Sequence, residues 1–273
     1  PAGFYYKSFM WPKSFWYKIY EPFIRKAAGL GIASVEKDKE RYEHKYEYCD
    51  LLVTGSGPAG LSSAYSAAKN GAKVILAEDK PRFGGSLLTD DVTIDNLSGK
   101  DWADKIITEL KEMPNVIVKN RSQVFGYYDH NMMVMFERTG DHLNDKPKYT
   151  PRQRLWYVRA KEVLLSTGSI ERPIVFGNND TPGVFLSAAA KEYIKVYGVL
   201  VGKKPLIFTN NDSGYETAIE FKKNGVNPII LDTRSDPSSD IIAEAKNLNI
   251  EIKFSHVVVA AKGYKKVKSA DIA

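Results

Sequence analysis

Short apolar runs along the chain alternate with helical patterns, and glycines mark the junctions between them. The apolar run Leu51 to Val53 leads into the glycine-rich segment Gly55 to Gly60. An Ala-rich helical pattern follows over Leu61 to Asn70, and a second apolar run over Val74 to Ala77 ends at Glu78. The order of strand, glycine turn, helix, strand and acid predicts a dinucleotide-binding βαβ unit.

The residue types in this unit suit contact with a pyrophosphate. Gly55 permits the tight turn, Gly57 lets the backbone approach the phosphates, and Gly60 lets the helix pack close to the strand. The helix begins at Pro58 or Ala59, so its free N–H groups and the positive end of its dipole face the phosphates.

Glu78 is predicted to accept hydrogen bonds from the adenosine ribose hydroxyls, and its charge disfavours the 2′-phosphate of NADP. The alternative is a glycine turn that merely joins a strand to a helix. Two strands, a helix and a terminal acid in register favour the binding interpretation. After Glu78, the adjacent residues Gly84 and Gly85 and the hydroxyl of Ser86 are predicted to lie beside the ligand, the alternative being a flexible loop.

The rest of the first half predicts one amphipathic helix and a set of strands. The helix covers 101–113, and Met132, Met133 and Met135 are expected to fill the core. Strands are expected at 115–118, 123–128, 132–137, 155–159 and 162–168, and three of these (123–128, 132–137 and 155–159) alternate like an antiparallel meander. The last strand is expected to be buried and to place Gly168 close to the dinucleotide.

A second βαβ pattern follows in the C-terminal part of the chain. Strands are predicted at 205–209 and 228–231 around a helix at 215–224, with Asp232 at the end of the second strand. Asn210 and Asp212 stand in the turn where a pyrophosphate loop needs glycines, which disfavours ordinary NADH binding there. Further helices are predicted at 187–197 and 241–247, and further strands at 251–254 and 257–261.

The N-terminal segment, residues 1–48, is crowded with aromatic side chains that cannot stay exposed at low cost. It is predicted to pack as an arm across its own domain or to dock on another subunit or an upstream domain, and both alternatives are open. Residues 36–47 are predicted to form a charged connector. The arm contains Phe4, Tyr5, Tyr6, Phe9, Met10, Trp11, Phe15, Trp16, Tyr17, Tyr20 and Phe23.

Composition narrows the classes of protein to consider. The chain has 273 residues and 43% hydrophobic content, enough for two domains. Its net charge of +6 is scattered among acids, which disfavours a nucleic-acid surface. Cys49 is the single cysteine, which excludes an internal disulfide, a CxxC pair, an iron–sulfur cluster and a thiolate zinc site within this chain. The four histidines lack metal spacing, and the absence of a signal peptide or a membrane-length apolar run predicts a cytoplasmic location.

Several segments together resemble the alpha subunit of heterotetrameric sarcosine oxidase. They are GSGPAGL, EDKPRFGGSLL, STGSIERPIVFGNNDTPGVFL, FTNNDSGYETA and the arm FYYKSFMWPKSFWYKIYEPFIRKAAGLG. The resemblance runs over nearly the whole chain. The glycine motif is common to many flavoproteins, whereas ERPIVFGNNDTPGV and the arm are more particular. Alpha subunits of that family are longer, with a ferredoxin-like domain before the arm and a folate-binding domain at the other end, so we expect the chain to be a fragment.

The resemblance implies an α/β fold with two Rossmann-like dinucleotide-binding domains of the glutathione-reductase type. The predicted organisation is an arm and connector at 1–48, a first domain with a β-meander at 49–185, and a second, incomplete domain at 186–273 inserted into the first. The implied complex oxidises sarcosine to glycine. It passes electrons from FAD in the beta subunit to FMN at the alpha–beta contact and then to oxygen, which gives peroxide, and the one-carbon unit goes to tetrahydrofolate. Its other subunits are beta, gamma and delta.

In such alpha subunits the dinucleotide domains hold a resident NAD that does not turn over; FAD is the alternative dinucleotide. The resemblance implies a site in which Gly55, Ser56, Gly57, Pro58, Ala59 and Gly60 lie at the pyrophosphate, and Glu78, Asp79 and Lys80 lie around the adenosine ribose. Gly85 and Ser86 would lie along the loop, and Val124 would meet the adenine through its backbone. Thr167 and Gly168 would complete the pocket at the end of the last strand. We assign no catalytic residue, because the sequence shows no paired carboxylates and no nucleophile with a base.

Three other functions remain open from the sequence. One is an independent flavoenzyme with FAD on the first unit and NADH on the second; the single cysteine disfavours its disulfide-reducing branch. Another is a purely structural protein within a complex, which the intact glycine turn disfavours. The third is the alpha subunit of a related amine or opine oxidase complex.

Overall fold

The structure, a computed structural model, describes residues 11–273, which divide into an arm up to Glu40 and a body, Arg41–Ala273. In the arm, a π-helical turn, Trp16–Tyr20, leads into helix α1, Glu21–Ala27, where Glu21 pairs with Arg25 one turn later. Four of the aromatic residues predicted for the arm (Phe4, Tyr5, Tyr6 and Phe9) and Met10 lie outside the described residues. Whether the arm packs on its own domain or on another subunit stays a prediction.

The first half of the body, residues 41–185, is built on a six-stranded sheet in the order β5-β2-β1-β8-β7-β6. The first four of these strands are parallel, and β7 and β6 continue the sheet as an antiparallel meander, as predicted. A short hairpin, β3–β4, lies outside it. The strands are β1 Tyr42–Thr54, β2 Val74–Ala77, β3 Thr93–Ile94, β4 Leu97–Ser98, β5 Val116–Lys119, β6 Ser122–Tyr128, β7 Met132–Arg138 and β8 Gln153–Leu165.

Two strands are longer than the sequence pattern predicts. Strand β1 begins at Tyr42, so the prediction of a connector up to Glu47 is wrong for its last part. The two strands expected at 155–159 and 162–168 are one continuous strand, β8, which ends at Leu165. The cause is that β1 and β8 pair in parallel along their whole lengths, from Tyr42 opposite Gln153 to Thr54 opposite Leu165. This ladder holds polar segments in the sheet that lack an apolar strand pattern.

Both faces of the first sheet are covered, as is usual for parallel strands. Helices α2, Pro58–Lys69, and α3, Gly99–Glu112, pack on one face around Leu61 and Leu110, and α3 buries the predicted apolar stripe that includes Trp102. The other face carries a core around Trp156. Met133 and Met135 are fully buried there, as predicted, whereas Met132 is only half-buried. The end of β8 is less buried than predicted, since Leu165 is 60% exposed.

The second half of the body, residues 186–273, has a three-stranded parallel sheet in the order β11-β10-β9. Tyr215 and Phe221 are fully buried in its core. All its predicted helices and strands are present with small shifts at their ends, whereas the hairpin partner β13 was not predicted. The elements are α4 Ser187–Tyr197, β9 Leu206–Thr209, α5 Ser213–Lys223, β10 Ile229–Asp232, α6 Asp240–Asn247, β11 Glu251–Phe254, β12 Val258–Gly263 and β13 Val267–Ile272. No helix within residues 11–273 is long and apolar enough to cross a membrane.

Candidate dinucleotide-binding site

The glycine turn connects β1 to α2 and can be formed only by glycine at two of its positions. Gly55 has a φ of +99°, and a Cβ there would lie 2.3 Å from the carbonyl oxygen of Ser166. A Cβ on Gly60 would lie 2.0 Å from the carbonyl oxygen of Gly55. The turn, the start of α2 and the end of β8 are therefore packed backbone against backbone, as the predicted roles of Gly55 and Gly60 require.

The N-terminus of α2 is open. Gly57 is the N-cap residue in an extended conformation, Pro58 occupies the first turn, and no side chain of the described residues caps the helix. A Cβ built on Gly57 meets no atom of the chain within 4 Å. Uncapped N–H groups at a helix N-terminus bind phosphate readily. The residues present here thus fit a pyrophosphate.

Glu78 lies at the end of β2 and is buried, with 7% of its surface exposed. Its Oε2 accepts hydrogen bonds from the backbone N–H of Ser56 at 2.9 Å and from the Ser56 hydroxyl at 2.5 Å. Its Oε1 accepts one from the N–H of Lys80 at 3.0 Å. An ionised carboxylate has about four acceptor positions. Three protein donors therefore leave about one position for a ribose hydroxyl.

The predicted loop after β2 lies against the glycine turn. The N–H of Gly84 donates to the carbonyl oxygen of Ser56 at 3.1 Å, and a Cβ on Gly85 would lie 2.8 Å from the Cα of Gly57. A 3₁₀ helix, Gly85–Leu88, follows. The side chain of Ser86 is exposed, and the backbone carbonyl oxygen of Ser86 accepts a hydrogen bond from the N–H of Thr89. The structure thus brings Gly85 to the turn, while Ser86 lies one residue beyond this contact.

The two residues after Glu78 are held by other parts of the body. The Nζ of Lys80 lies 2.8 Å from Oε1 of Glu192 on α4. Burial opposes protonation of Lys80, but the hydrogen bond and charge of Glu192 outweigh it and raise the lysine pKa. The carbonyl oxygen of Asp79 accepts a hydrogen bond from Arg138 at 2.9 Å. Both contacts fix the path of the chain around the predicted ribose position.

The remaining predicted site residues lie on two other strands. The N–H of Ser122 donates to the carbonyl oxygen of Glu78 at 2.7 Å, which places the start of β6 beside the end of β2. Val124 follows on β6 and is half-buried, and the pairing with β7 shifts register just after it. Thr167 and Gly168 follow β8 and are exposed, and Gly168 has a φ of +72°.

One residue that supports the site, Ser166, was missed by sequence reasoning. The hydroxyl of Ser166 donates to the carbonyl oxygens of Thr54 and Gly55 at 2.9 and 3.0 Å, so it joins β8 to the glycine turn. Gly84, which the sequence places beside the ligand, joins the loop to the turn through its bond to Ser56. No local pattern signals the Ser166 contact, because Ser166 and the glycine turn are far apart along the chain.

The described residues contain no group of three or more His, Cys, Asp and Glu side chains suited to hold a metal ion. Cys49 is fully buried, and burial raises the pKa of its thiol to about 12. A thiol held protonated in a core is unreactive.

Comparison with known proteins gives concordant matches. The family model described as pyridine nucleotide-disulphide oxidoreductase matches residues 49–272. The sarcosine oxidase alpha chain of Rhizobium meliloti (strain 1021) is 44% identical over 272 residues, which cover 99% of this chain and 27% of that protein. Its counterpart in Corynebacterium sp. (strain P-1) is 36% identical, covering 85% of this chain and 24% of that protein. One chain of the opine oxidase of Agrobacterium tumefaciens (strain Ach5) is 27% identical, covering 70% and 38%.

Solved structures share the fold. An L-proline dehydrogenase from P. horikoshii superposes with a TM-score of 0.58 at 22% identity, covering 86% of this chain and 40% of that one. A thioredoxin reductase from T. acidophilum gives a TM-score of 0.58 at 18% identity, covering 82% and 70%. This chain spans about a quarter of the length of the sarcosine oxidase chains that it matches. The chain belongs to the pyridine nucleotide-disulphide oxidoreductase family.

Proposed function

We propose that the chain is the dinucleotide-binding part of the alpha subunit of a multi-subunit sarcosine oxidase. In this proposal the first half of the body, residues 41–185, holds NAD as a resident dinucleotide. The observation that carries the proposal is the open N-terminus of α2 beside the buried carboxylate of Glu78. The 44% identity to the alpha chain of a sarcosine oxidase, over 99% of this chain, supports the choice of complex.

The residues divide the binding work between the two ends of the dinucleotide. The backbone N–H groups of Gly57, Ala59 and Gly60 bind the pyrophosphate, helped by the dipole of α2, while Pro58 starts the helix without an N–H of its own. The remaining acceptor position of Glu78 binds a ribose hydroxyl, and its charge repels a 2′-phosphate. Val124, Thr167 and Gly168 complete the pocket at the adenine and beyond β8. Bound NAD supplies a nicotinamide able to accept hydride, but in this proposal it is a structural cofactor.

The oxidation of sarcosine belongs to other parts of the complex. The thiol of Cys49 is buried, so it has no role as a nucleophile in this chain. In the proposal, FAD and FMN, the beta, gamma and delta subunits and the transfer of a one-carbon unit to tetrahydrofolate lie outside these residues. The contribution of this chain is to bind the dinucleotide and to present a folded surface to its partner subunits.

The test is to express the longer protein that contains this chain together with its partner subunits and to measure peroxide formation. We expect sarcosine-dependent peroxide, and NAD bound to the alpha subunit in a one-to-one ratio. Oxidation of opines but not of sarcosine would move the chain to the opine oxidase group, whose member from Agrobacterium tumefaciens is 27% identical to it. NADH oxidation by the isolated alpha subunit would instead indicate an independent NADH oxidoreductase.

A further inference from the structure

The second half of the body repeats the strand, turn and helix of the first half, but the polar groups of its turn and strand end are bonded to one another. Gly214 takes the place of the close-packing glycine, since a Cβ there would lie 2.7 Å from the Cβ of Thr209. The architecture of a dinucleotide cleft is therefore retained between β9, α5 and β10. What differs is the state of the groups that would bind the ligand.

The first N–H group of α5 is bonded within its own turn. Oδ1 of Asn211 accepts hydrogen bonds from the N–H of Ser213 at 2.9 Å and from the Ser213 hydroxyl at 2.7 Å. The hydroxyl of Thr209 donates to the carbonyl oxygen of Asn211 at 2.8 Å. Neither N-cap residue, Gly57 at α2 or Asp212 at α5, caps its helix with its side chain, but the start of α2 has no counterpart of the Asn211 bonds among the described residues. A pyrophosphate at α5 would have to displace these bonds.

The acid at the end of β10 is also fully used. Asp232 is completely buried and accepts hydrogen bonds from the Tyr215 hydroxyl at 2.7 Å and from the backbone N–H of Arg234 at 2.9 Å. The Arg234 side chain adds Nε at 3.1 Å and Nη2 at 2.8 Å. These four donors fill the roughly four acceptor positions of the carboxylate. Glu78, its counterpart in the first half, has three protein donors.

The guanidinium of Arg234 also contacts an acid in the turn before α5. Nη2 of Arg234 lies 2.8 Å from Oδ1 of Asp212 as well as 2.8 Å from Oδ2 of Asp232. It therefore joins the turn, where a pyrophosphate binds, to the strand end, where a ribose binds. Contact with the Arg234 guanidinium lowers the pKa of Asp212. Burial raises the pKa of Asp232, but the hydrogen bonds from Arg234 and Tyr215 outweigh it and lower that pKa as well.

We propose that Arg234 closes the second dinucleotide cleft from within by bridging Asp232 and Asp212, so that the second half binds neither NADH nor NADPH. The inference concerns only the second half, and it stands whatever the first half binds. It assigns Arg234 as a residue that determines specificity by exclusion. The competing role for an arginine at this place is to bind the 2′-phosphate of NADPH.

The test uses the full-length protein and measures binding of NADH and of NADPH beyond the resident dinucleotide. We expect no further saturable binding to the unmodified protein and a gain in NADH affinity of at least about tenfold in the variant D212G/R234A. The matched control is D141G/R152A, which removes another acid–arginine pair, 2.6 Å apart, outside the cleft. Its binding should equal that of the unmodified protein.

Saturable NADPH binding by the unmodified protein that is lost in R234A would overturn the proposal. So would a folded D212G/R234A protein that gains no affinity. Because the double variant removes charges around a buried acid, its folding has to be checked by thermal unfolding. A second measurement needs no variant: photolabelling of the unmodified protein with an azido-NAD, followed by peptide mapping. Label in residues 206–240 contradicts the closed cleft, and its absence there supports it.

Discussion

Ser56 and Glu78 form the structural link between the glycine turn and the second strand of the sheet. The buried carboxylate accepts the serine N–H at 2.9 Å and the serine hydroxyl at 2.5 Å. Ser56 is fully buried, and its hydroxyl holds the carboxylate of Glu78 in position. The backbone of Ser56 forms the turn, and its side chain orients the group that would bind the ribose.

Replacement of Ser56 by Ala should destabilise the protein by about 1–3 kcal/mol, because Glu78 stays buried and loses one hydrogen bond. Dinucleotide content should fall only moderately, since the backbone N–H groups at the turn remain. Denaturant unfolding and cofactor content measured on the same preparation check both expectations. Serine to alanine at the exposed Ser269 is the matched control, and unchanged stability in S56A would argue against the link.

Substitutions at two glycines of the turn should have different effects on stability and on dinucleotide binding. A methyl group on Gly60 clashes with the Gly55 carbonyl at 2.0 Å, so G60A should cost about 1–3 kcal/mol and also lose the dinucleotide. A methyl group on Gly57 meets no protein atom within 4 Å, so G57A should fold normally and still lose most of the dinucleotide. G202A is the control, since its Cβ also meets nothing within 4 Å. Full cofactor retention in G57A would place the pyrophosphate elsewhere.

Glu137 should contribute to acid sensitivity. Burial raises the pKa of this carboxyl group, but Lys119, Trp156 and Arg154 outweigh burial and lower it below its ordinary value of 4.5. The unfolded chain therefore takes up the proton first, so the stabilisation is present above about pH 4.5 and is lost as pH falls through the folded pKa. E137Q should be less stable at neutral pH by about 1–3 kcal/mol and should lose less stability on acidification.

Urea unfolding at a series of pH values measures this slope. E251Q is the control, because Glu251 is exposed and lies 3.6 Å from Lys253. Parallel stability curves for E137Q and the unmodified protein would show that Glu137 does not carry the effect.

Cys49 should be inert in the folded protein. Its thiol is buried and has a pKa of about 12, so almost none is present as thiolate at neutral pH. Alkylation by iodoacetamide should be very slow in native conditions and rapid in denaturant, which also serves as the control. Rapid native labelling of Cys49 would mean that β1 opens locally.

The sequence predicts the glycine turn and the acid beside it, because these residues are close together along the chain. Gly55, Gly57 and Gly60 specify the turn, and Glu78 follows from the end of the next strand. The support from Ser166 comes from a strand far along the chain, and no local pattern indicates such a contact. Likewise, Asp212 was recognised as unfavourable for a phosphate, but its pairing with Arg234 depends on how β10 and the turn meet.

The extent of β1 and β8 shows the same limit. The polar character of residues 42–47 predicts a connector. In the structure these residues form a strand, because a strand that is paired along its length needs no continuous apolar pattern. The ladder between Tyr42 and Thr54 on one strand and Gln153 and Leu165 on the other decides their extent. The ends of these two strands are thus set by pairing between distant parts of the chain, which local composition does not indicate.

The most direct test of the account is to purify the full-length protein, record its visible spectrum, and identify the cofactor that acid releases from it by mass spectrometry. Within the complex, proteolytic separation or separate expression of the alpha subunit shows whether the cofactor belongs to this chain. We expect NAD on the alpha subunit, bound in a one-to-one ratio and retained when sarcosine is added. A stoichiometric FAD in the same place, bleached by NADH, would contradict it.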